Sequence, residues 1–307
     1  MIEAEELSRH YGELTAVDEV SFTVDQGEVV GLLGHNGAGK TTIMKMLTGY
    51  LEPSAGRIRV DGLDMRGHRR QIQRRIGYLP ENCPVYPDMT VMDYLDYQAV
   101  LHGVPAETRP RAIRRAVART ALEPKALDSV ATLSRGYRQR VGVAQAILHE
   151  PQVVILDEPT NGLDPSQIRE MRTLIRSLAE HATVLVSTHI LREVQAVCDR
   201  VLMMRRGRLA LDARLEDLGG TPRVLVTVDA EPRRAEQVLS GVAGVSGVES
   251  LGPHGGHQRY AVAGSGDAGA LAPELARQVQ EQGLALYALE PEMRDLETVF
   301  AEVNATE

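Results

Sequence analysis

The chain has 307 residues, of which 43% are hydrophobic and 25% are charged, and its formal net charge is −8. This length suffices for one large domain and a smaller one, and the composition is that of an ordinary globular protein. The acidic balance argues against a general nucleic-acid-binding protein, because such proteins need a basic surface to neutralise phosphates. Aromatic residues make up only 4% and tryptophan is absent, which disfavours a function based on aromatic stacking.

The two cysteines, Cys83 and Cys198, lie far apart and lack the spacing of metal ligands, which indicates a reducing, cytoplasmic compartment. The acidic, polar start "MIEAEELSRHYG" is not typical of a secretory signal. No apolar run approaches the ~20 residues that span a bilayer. We therefore expect a soluble chain, and any membrane-embedded part would belong to another polypeptide.

The first two thirds of the sequence predict an α/β domain that ends near Leu218. The predicted strands, in chain order, are 16–24, 27–34, 56–62, 151–159 and 182–189, followed by a hairpin at 201–213. A helix is predicted as far as Leu47, the region 88–150 is mostly helical, and another helix is predicted at 165–180. Apolar strands of buried length that alternate with helices are typical of a parallel sheet.

The remaining residues, 222–307, predict a second, smaller domain. The segment "GGTP" at 219–222 has the composition of a linker. After it the predicted order is strand 223–229, helix 232–241, strand 245–251, strand 258–263, helix 268–282 and strand 284–289, and a short helix "RDLETVFAEV" follows. This β-α-β-β-α-β order is typical of the ferredoxin-like α+β fold.

A phosphate-binding loop is predicted at residues 34–41. The segment "GHNGAGKT" fits the pattern G-x-x-x-x-G-K-[ST] and lies between an apolar strand and a helix, as this motif requires. Its glycines let backbone N–H groups point at phosphate oxygens, Lys40 can reach the β- and γ-phosphates, and the Thr41 hydroxyl can bind Mg²⁺. The alternative is a glycine turn with a chance lysine. The predicted nucleotide-binding residues here are Gly34, His35, Asn36, Gly37, Ala38, Gly39, Lys40, Thr41 and Thr42.

A second acidic strand, which a phosphate loop needs to complete a Mg²⁺ site, is predicted at "VVILDEP" (153–159). Four apolar residues bury this strand and Asp157 follows at its end. The next residue, Glu158, is placed where a carboxylate could polarise a water for in-line attack on a phosphate. The alternative is a strand-end turn with two solvated acids. The long interval between Lys40 and Asp157 leaves room for an inserted helical subdomain at about 85–150.

Further motifs in a consistent order make the chain similar to the nucleotide-binding subunits of ATP-binding cassette (ABC) transporters over about residues 1–218. These motifs are Tyr11, at the position of an adenine-stacking aromatic; "IGYLPE" (76–81), at the glutamine loop; "LSRGYRQR" (133–140), at the signature; "NGLDP" (161–165), at the D-loop; and "STH" (187–189), which ends in the switch histidine. The resemblance implies a P-loop NTPase fold, with a RecA-like core, an N-terminal antiparallel β subdomain and a helical signature subdomain.

The same resemblance implies MgATP hydrolysis and the residues that perform it. Glu158 would be the general base and His189 would sense the γ-phosphate. Mg²⁺ would be organised by Thr41, Asp157 and Glu81.

The resemblance also implies partners. The signature residues Ser134, Arg135, Gly136 and Tyr137 would face ATP held by a second subunit. The two ATPase subunits, identical or different, would thus enclose ATP between them, and Asp164 would couple their two sites. A separate integral membrane permease would use the energy, which would place the chain in the cytoplasm at the inner face of the cell membrane.

Two positions depart from the usual family pattern. Glu81 stands where the family has glutamine, and the signature reads Ser-Arg-Gly-Tyr where Ser-Gly-Gly-Gln is common. These variants, with "GLDPSQ" and "LETVF", resemble the branch that serves multidrug-type and gliding-motility-type exporters. The alternative is a soluble ABC protein that acts on nucleic acid or ribosomes. Such proteins generally have two cassettes or a long coiled-coil insertion, and this chain has one cassette and neither addition.

Overall fold

A computed structural model describes residues 1–218, 223–264, 268–292, 296, 300 and 301. The chain divides into two compact units, Met1–Leu215 and Glu216–Glu307. The predicted linker at 219–222 and most of the predicted last helix at 294–303 lie outside the described residues. In the part of the chain that is described, no helix is long and apolar enough to cross a membrane.

The elements of the first unit alternate strands and helices after an initial strand pair. In chain order they are β1 (Ile2–Tyr11), β2 (Leu14–Val24), β3 (Val29–Leu33), α1 (Lys40–Leu47), β4 (Ala55–Val60), β5 (Leu63–Asp64), α2 (Met65–Gln73), β6 (Ile76–Leu79), α3 (Val91–Leu101), α4 (Arg109–Arg119), α5 (Arg135–Ile147), β7 (Val153–Asp157), α6 (Pro165–Ala179), β8 (Thr183–Thr188), α7 (Leu191–Val197), β9 (Arg200–Arg205) and β10 (Arg208–Arg214). A four-residue helix, α8 (Leu215–Leu218), follows.

An antiparallel sheet with the strand order β2-β1-β4-β5 forms one layer of this unit. Strand β1 was not predicted from the sequence. Its pairing with β2 shifts register between Ala4 and Leu7 and again between Leu7 and Arg9. Because such bulges interrupt the two-residue period, polar and apolar residues of β1 do not alternate in the usual way.

The central sheet has the strand order β10-β9-β3-β8-β7-β6. All neighbours are parallel except the edge strand β10, which pairs antiparallel with β9. Strands β3, β7 and β8 are buried along their whole length, which explains their continuous apolar runs. Since these three strands are parallel neighbours, their carboxyl ends meet at one edge of the sheet, where such sheets bind ligands.

Helix α1 packs between the two sheets of the first unit. Its residues Ile43, Met44 and Leu47 belong to one buried hydrophobic cluster that also includes Phe22 of the antiparallel sheet and Ile155 of the central sheet. This packing holds the start of α1 beside the end of β7. Helices α3, α4 and α5 pack against one another, and α5 also contacts β6 and β7.

The second unit contains a four-stranded antiparallel sheet and two helices. Its elements are β11 (Arg223–Asp229), α9 (Pro232–Ser240), β12 (Val245–His254), β13 (His257–Gly264), α10 (Ala268–Glu281) and β14 (Ala285–Glu292). The strand order is β12-β13-β11-β14. The core of this unit includes Val226, Leu239, Tyr260, Leu275 and Val279. The predicted fold class, a P-loop α/β domain followed by a ferredoxin-like α+β domain, is confirmed.

Candidate active site

The loop between β3 and α1 is packed too closely to allow side chains at two of its glycines. A Cβ atom on Gly34 would lie 2.6 Å from the carbonyl oxygen of Met204. One on Gly39, whose φ is +104°, would lie 2.7 Å from the carbonyl oxygen of Ala16. Only glycine fits such positions. The loop is therefore held between β9 and β2, with its backbone at the start of α1, where N–H groups favour anions.

Lys40 is enclosed by this loop. Its Nζ donates a hydrogen bond to the carbonyl oxygen of Gly34 at 2.6 Å and another to that of His35 at 3.3 Å. The same Nζ lies 3.5 Å from Oε1 of Glu158, and both side chains are almost completely buried. A buried charge of this kind needs partners, and those of Lys40 are the loop carbonyl groups and Glu158, which directly follows β7.

Asp157 is completely buried at the end of β7. Its Oδ1 accepts a hydrogen bond from the Ser187 hydroxyl at 2.5 Å and lies 3.5 Å from Oγ1 of Thr41. Its Oδ2 has no hydrogen-bond partner among the described residues. Burial of a carboxylate oxygen without a hydrogen-bond partner costs free energy. A bound cation would give this oxygen a partner.

Thr41 and Asp157 fit Mg²⁺, since this ion prefers oxygen ligands and uses only one or two carboxylates together with substrate phosphates. No group of three or more His, Cys, Asp or Glu residues that could hold a metal occurs within 1–218, 223–264 and 268–292.

Glu158 leaves the strand with an unusual backbone conformation. Its φ is +50°, which is unfavourable for a residue with a Cβ. The Glu158 N–H donates to the Ser187 hydroxyl at 2.9 Å and to the Ser187 carbonyl at 3.2 Å. The carboxylate lies between Lys40 and His189, with Oε2 at 3.0 Å from Nδ1 of His189. The His189 side chain is 44% exposed, whereas that of Glu158 is only 7% exposed, so the histidine lies at the solvent side of the cluster.

Glu81 follows β6 and is exposed. Burial, reinforced by the negative charges of Asp157 and Glu81, raises the pKa of Tyr78 well above its usual value. Because β6 and β7 are parallel neighbours, Glu81 and Asp157 both lie at the carboxyl edge of the central sheet. Its role as a metal ligand stays a prediction.

Tyr11 lies at the end of β1 and is 46% exposed. The guanidinium of Arg9 lies 4.7 Å from the centroid of its ring, a cation–π arrangement. Adenine stacking on Tyr11 stays a prediction.

The signature segment forms the start of α5. Ser134 is the N-cap residue, and its Oγ accepts a hydrogen bond from the N–H of Tyr137 at 3.4 Å. A Cβ on Gly136 would lie 2.7 Å from the end of the Gln167 side chain, which would have to move. In the same way, a side chain at Gly162 would overlap the guanidinium of Arg135. The signature thus packs against the D-loop and the first turn of α6.

Asp164 caps α6. Its Oδ1 accepts hydrogen bonds from the N–H groups of Ser166 and Gln167 at 2.9 and 3.0 Å, and Gln167 completes a capping box. The hydroxyl of Ser166 and these N–H groups lower the pKa of Asp164. The contacts of Asp164 in this chain are therefore those of a helix cap, and its predicted role between two subunits stays a prediction.

Two residues that matter here were not predicted. Ser187 joins Asp157 to the backbone of Glu158, and it directly precedes Thr188 and the predicted switch histidine. Its position in "STH", at the end of a buried strand, was the available signal. Glu193 is a buried acid on α7, and no motif or spacing in the sequence indicated that it is buried near the site.

The comparison with known proteins decides the family. The family model described as "ABC transporter" matches residues 17–161. The chain is 33% identical over 307 residues to the uncharacterized ABC transporter ATP-binding protein YdbJ of Bacillus subtilis, with 98% of this chain and 94% of that protein covered. The chain belongs to the ABC transporter ATP-binding protein family.

Other relatives of this ABC ATPase agree. It is 38% identical over 211 residues to the bacitracin transport ATP-binding protein BcrA of Bacillus licheniformis, with 68% of each chain covered. A solved structure of the ATP-binding subunit of an ABC transporter matches with a TM-score of 0.65 and 32% identity, covering 71% of this chain and 91% of that chain. The predictions of ATP as ligand and of ATPase activity are confirmed.

Proposed function

We propose that this ABC ATPase hydrolyses MgATP with Glu158 as general base and drives export through a separate membrane permease. The observation that carries the proposal is the contact of the Glu158 carboxylate with Lys40 on one side and His189 on the other. This arrangement supports the proposal, because in-line attack by water on a phosphate requires a proton acceptor beside the phosphate-binding loop.

Each side chain of the cluster has a distinct role in the proposed reaction. Lys40 and the loop N–H groups hold the β- and γ-phosphates. Glu158 orients the attacking water and accepts its proton. His189 donates a hydrogen bond to the γ-phosphate and so distinguishes ATP from ADP.

Thr41, Asp157 and Glu81 are the residues that would hold Mg²⁺. The ion would supply charge neutralisation to the phosphate oxygens. The partnerless Oδ2 of Asp157 and the 3.5 Å approach of Thr41 to Oδ1 support this assignment.

A second ATPase subunit is part of the proposal. The N-terminus of α5, with Ser134 as its cap, is suited to face a phosphate. Its contacts with Gly162 and Gln167 join the signature to the segment that carries Asp164. We infer that the signature of one subunit completes the ATP site of the other, and that Asp164 lies between the two sites.

The direction of transport is inferred from the relatives. The Nod factor export ATP-binding protein I of Ralstonia nicotianae, which is 36% identical over 219 residues, is named for export. The Ser-Arg-Gly-Tyr signature and Glu81 also resemble the exporter branch. The permease would hold the ATPase at the cytoplasmic face of the cell membrane.

The experiment is affinity purification of the tagged chain from its native cells in mild detergent, with and without ATP. The expected result is that a multi-span membrane protein co-purifies. When this protein is reconstituted in vesicles with the wild-type ATPase, we expect ATP-dependent transport towards the side opposite the ATPase. With Glu158→Gln in place of the wild type, we expect no transport. Co-purification of ribosomes or nucleic acid instead would favour the soluble alternative. Transport towards the ATPase side would contradict export.

A further inference from the structure

Glu193 is a buried carboxylate outside the residues that contact ATP in the proposed function. It lies in the first turn of α7 and is 4% exposed. Its Oε2 accepts a hydrogen bond from the Thr188 hydroxyl at 3.0 Å and a second from the Thr160 hydroxyl. Its Oε1 has no hydrogen-bond partner among the residues that the structure describes. Because burial of a charged group is costly, this arrangement calls for an explanation.

The two threonines belong to the segments that carry the hydrolytic side chains. Thr160 lies two residues after Glu158, and Thr188 directly precedes His189. The β7–β8 ladder ends at the pair Asp157 and Ser187. Beyond that pair the two segments no longer pair with each other, while Thr188 still pairs with Leu33 of β3. Glu193 joins the two segments again through its oxygen Oε2.

Local hydrogen bonds at the start of α7 account for part of this arrangement. The Thr188 hydroxyl accepts a hydrogen bond from the N–H of Ile190 at 3.1 Å, and the N–H of Glu193 donates to the Ile190 carbonyl at 3.0 Å. These contacts are local to the helix start. The hydrogen bond from Thr160 is different, since Thr160 lies on the segment that follows Glu158, 33 positions before Glu193. A helix cap does not require that bond.

We propose that Glu193 is a positioning residue that holds Glu158 and His189 at their working separation through Thr160 and Thr188. The proposal rests on the proposed function, in which these two side chains act on the γ-phosphate. Each threonine is only one or two residues from a reacting side chain, so a small shift of the threonine moves that side chain by a similar distance. Misplacement of a reacting group by about 1 Å can lower a rate by about a hundredfold.

The test uses near-isosteric substitutions in the full chain. Thr160→Val and Thr188→Val each remove one of the two hydroxyls that donate a hydrogen bond to Glu193. Thr183→Val is the matched control, because Thr183 is buried at the other end of β8. We expect kcat to fall about tenfold in both test variants, as is typical when an outer partner of a reacting group is lost. We also expect KM for ATP to change less than twofold, and kcat of the control to stay unchanged.

A second readout separates positioning from mere support of the fold. The affinity ratio for ATPγS over ADP depends on the γ-phosphate contact, and we expect Thr188→Val and Glu193→Leu to lower it. Glu193→Gln should restore most of the wild-type ratio and kcat, because its amide oxygen can still accept both hydroxyl hydrogen bonds. If Glu193→Leu does not fold, the two valine variants carry the test.

The outcomes distinguish the inference from the proposed function. A lower melting temperature with unchanged kcat and unchanged ATPγS-to-ADP ratio in Thr160→Val and Thr188→Val would overturn the positioning role. If Glu158→Gln and His189→Ala also leave kcat and that ratio unchanged, the proposed function itself is wrong. If kcat and the ATPγS-to-ADP ratio fall in Glu158→Gln and His189→Ala but not in the valine variants, only the role of Glu193 is refuted.

Discussion

The carboxylate of Glu158 contacts His189 Nδ1 at 3.0 Å through Oε2 and Lys40 Nζ at 3.5 Å through Oε1. The three residues come from separate segments that follow β7, β8 and β3. Since these strands are adjacent and parallel, with β8 between the other two, their carboxyl ends bring the three side chains together. The positive φ of Glu158 accompanies this placement, which the two hydrogen bonds from its N–H to Ser187 stabilise.

Replacement of Glu158 by glutamine should separate binding from hydrolysis. The amide keeps the shape of the side chain but cannot accept a proton from water, so we expect kcat to fall by about a hundredfold or more. ATP affinity should stay within a few-fold of wild type, and ATP should then hold two subunits together. Steady-state ATPase assays and size-exclusion chromatography with ATP measure both effects. Unchanged turnover would remove Glu158 from the role of base.

Replacement of Ser187 by alanine should destabilise the fold as well as the site. It removes the hydroxyl that donates to Oδ1 of buried Asp157 and accepts from the N–H of Glu158. We expect a loss of about 1 to 3 kcal/mol in the free energy of unfolding, because a buried acid loses its donor. Urea unfolding followed by circular dichroism measures this loss, with the exposed Ser21→Ala as control. Equal free energies of unfolding of the two variants would contradict the stabilising effect that we infer for the hydrogen bond from Ser187 to Asp157.

The proposed action of the signature on a second subunit can be tested with mixed dimers. Lys40→Ala removes the phosphate contact of a subunit's own loop, whereas Ser134→Arg blocks the signature that it presents to its partner. Each variant alone should be inactive. When the two are mixed, heterodimers combine one intact loop with one intact signature, and part of the ATPase activity should return. If dimers form but activity stays at zero at every mixing ratio, then either the signature acts within its own chain or both sites must be intact together.

Removal of residues 219–307 should leave ATP binding unchanged. The second unit has its own hydrophobic cluster, separate from the cluster that supports α1, so we expect residues 1–218 to fold without it. The role that we propose for the removed segment is regulation or support of the dimer. Titration with a fluorescent ATP analogue compares the truncated and full chains. Weaker ATP binding by a truncated chain that is still folded would show that the two units are not independent.

Acid should weaken the fold through His149. Its ring stacks on His102 with centroids 4.1 Å apart, and Nε2 lies 3.2 Å from the Ile76 carbonyl oxygen. Burial and the neighbouring His102 lower the pKa of His149 to about 4. The unfolded chain takes up a proton near pH 6.5 and the folded chain only near pH 4, so stability falls as the pH falls through this window.

The expected loss from His149 between pH 7 and pH 5 is about 1 to 2 kcal/mol. His149→Gln should reduce this loss, whereas replacement of the exposed His68 should not. Urea unfolding at both pH values measures the difference. The same pH dependence in wild type and His149→Gln would show that His149 is not its source.

The sequence alone determined the features whose signal is local. The spacing of "GHNGAGKT" between a strand and a helix predicts a phosphate loop, because backbone conformation and loop length depend on neighbouring residues. The apolar runs before Asp157 and His189 predict buried parallel strands for the same reason. The β-α-β-β-α-β order of the second unit was also correctly predicted, because turn residues such as those at 252–256 separate neighbouring elements.

Contacts between segments that are distant in the chain could not be predicted and became visible in the folded chain. Strand β1 escaped prediction because its bulges are defined by pairing with β2. The packing of Gly162 against Arg135, and the bonds from Thr160 and Thr188 to Glu193, depend on how the strand ends are placed in space. Such contacts leave no period or fixed spacing in the sequence. They follow from the order of strands in the sheet, which packing of the whole unit determines.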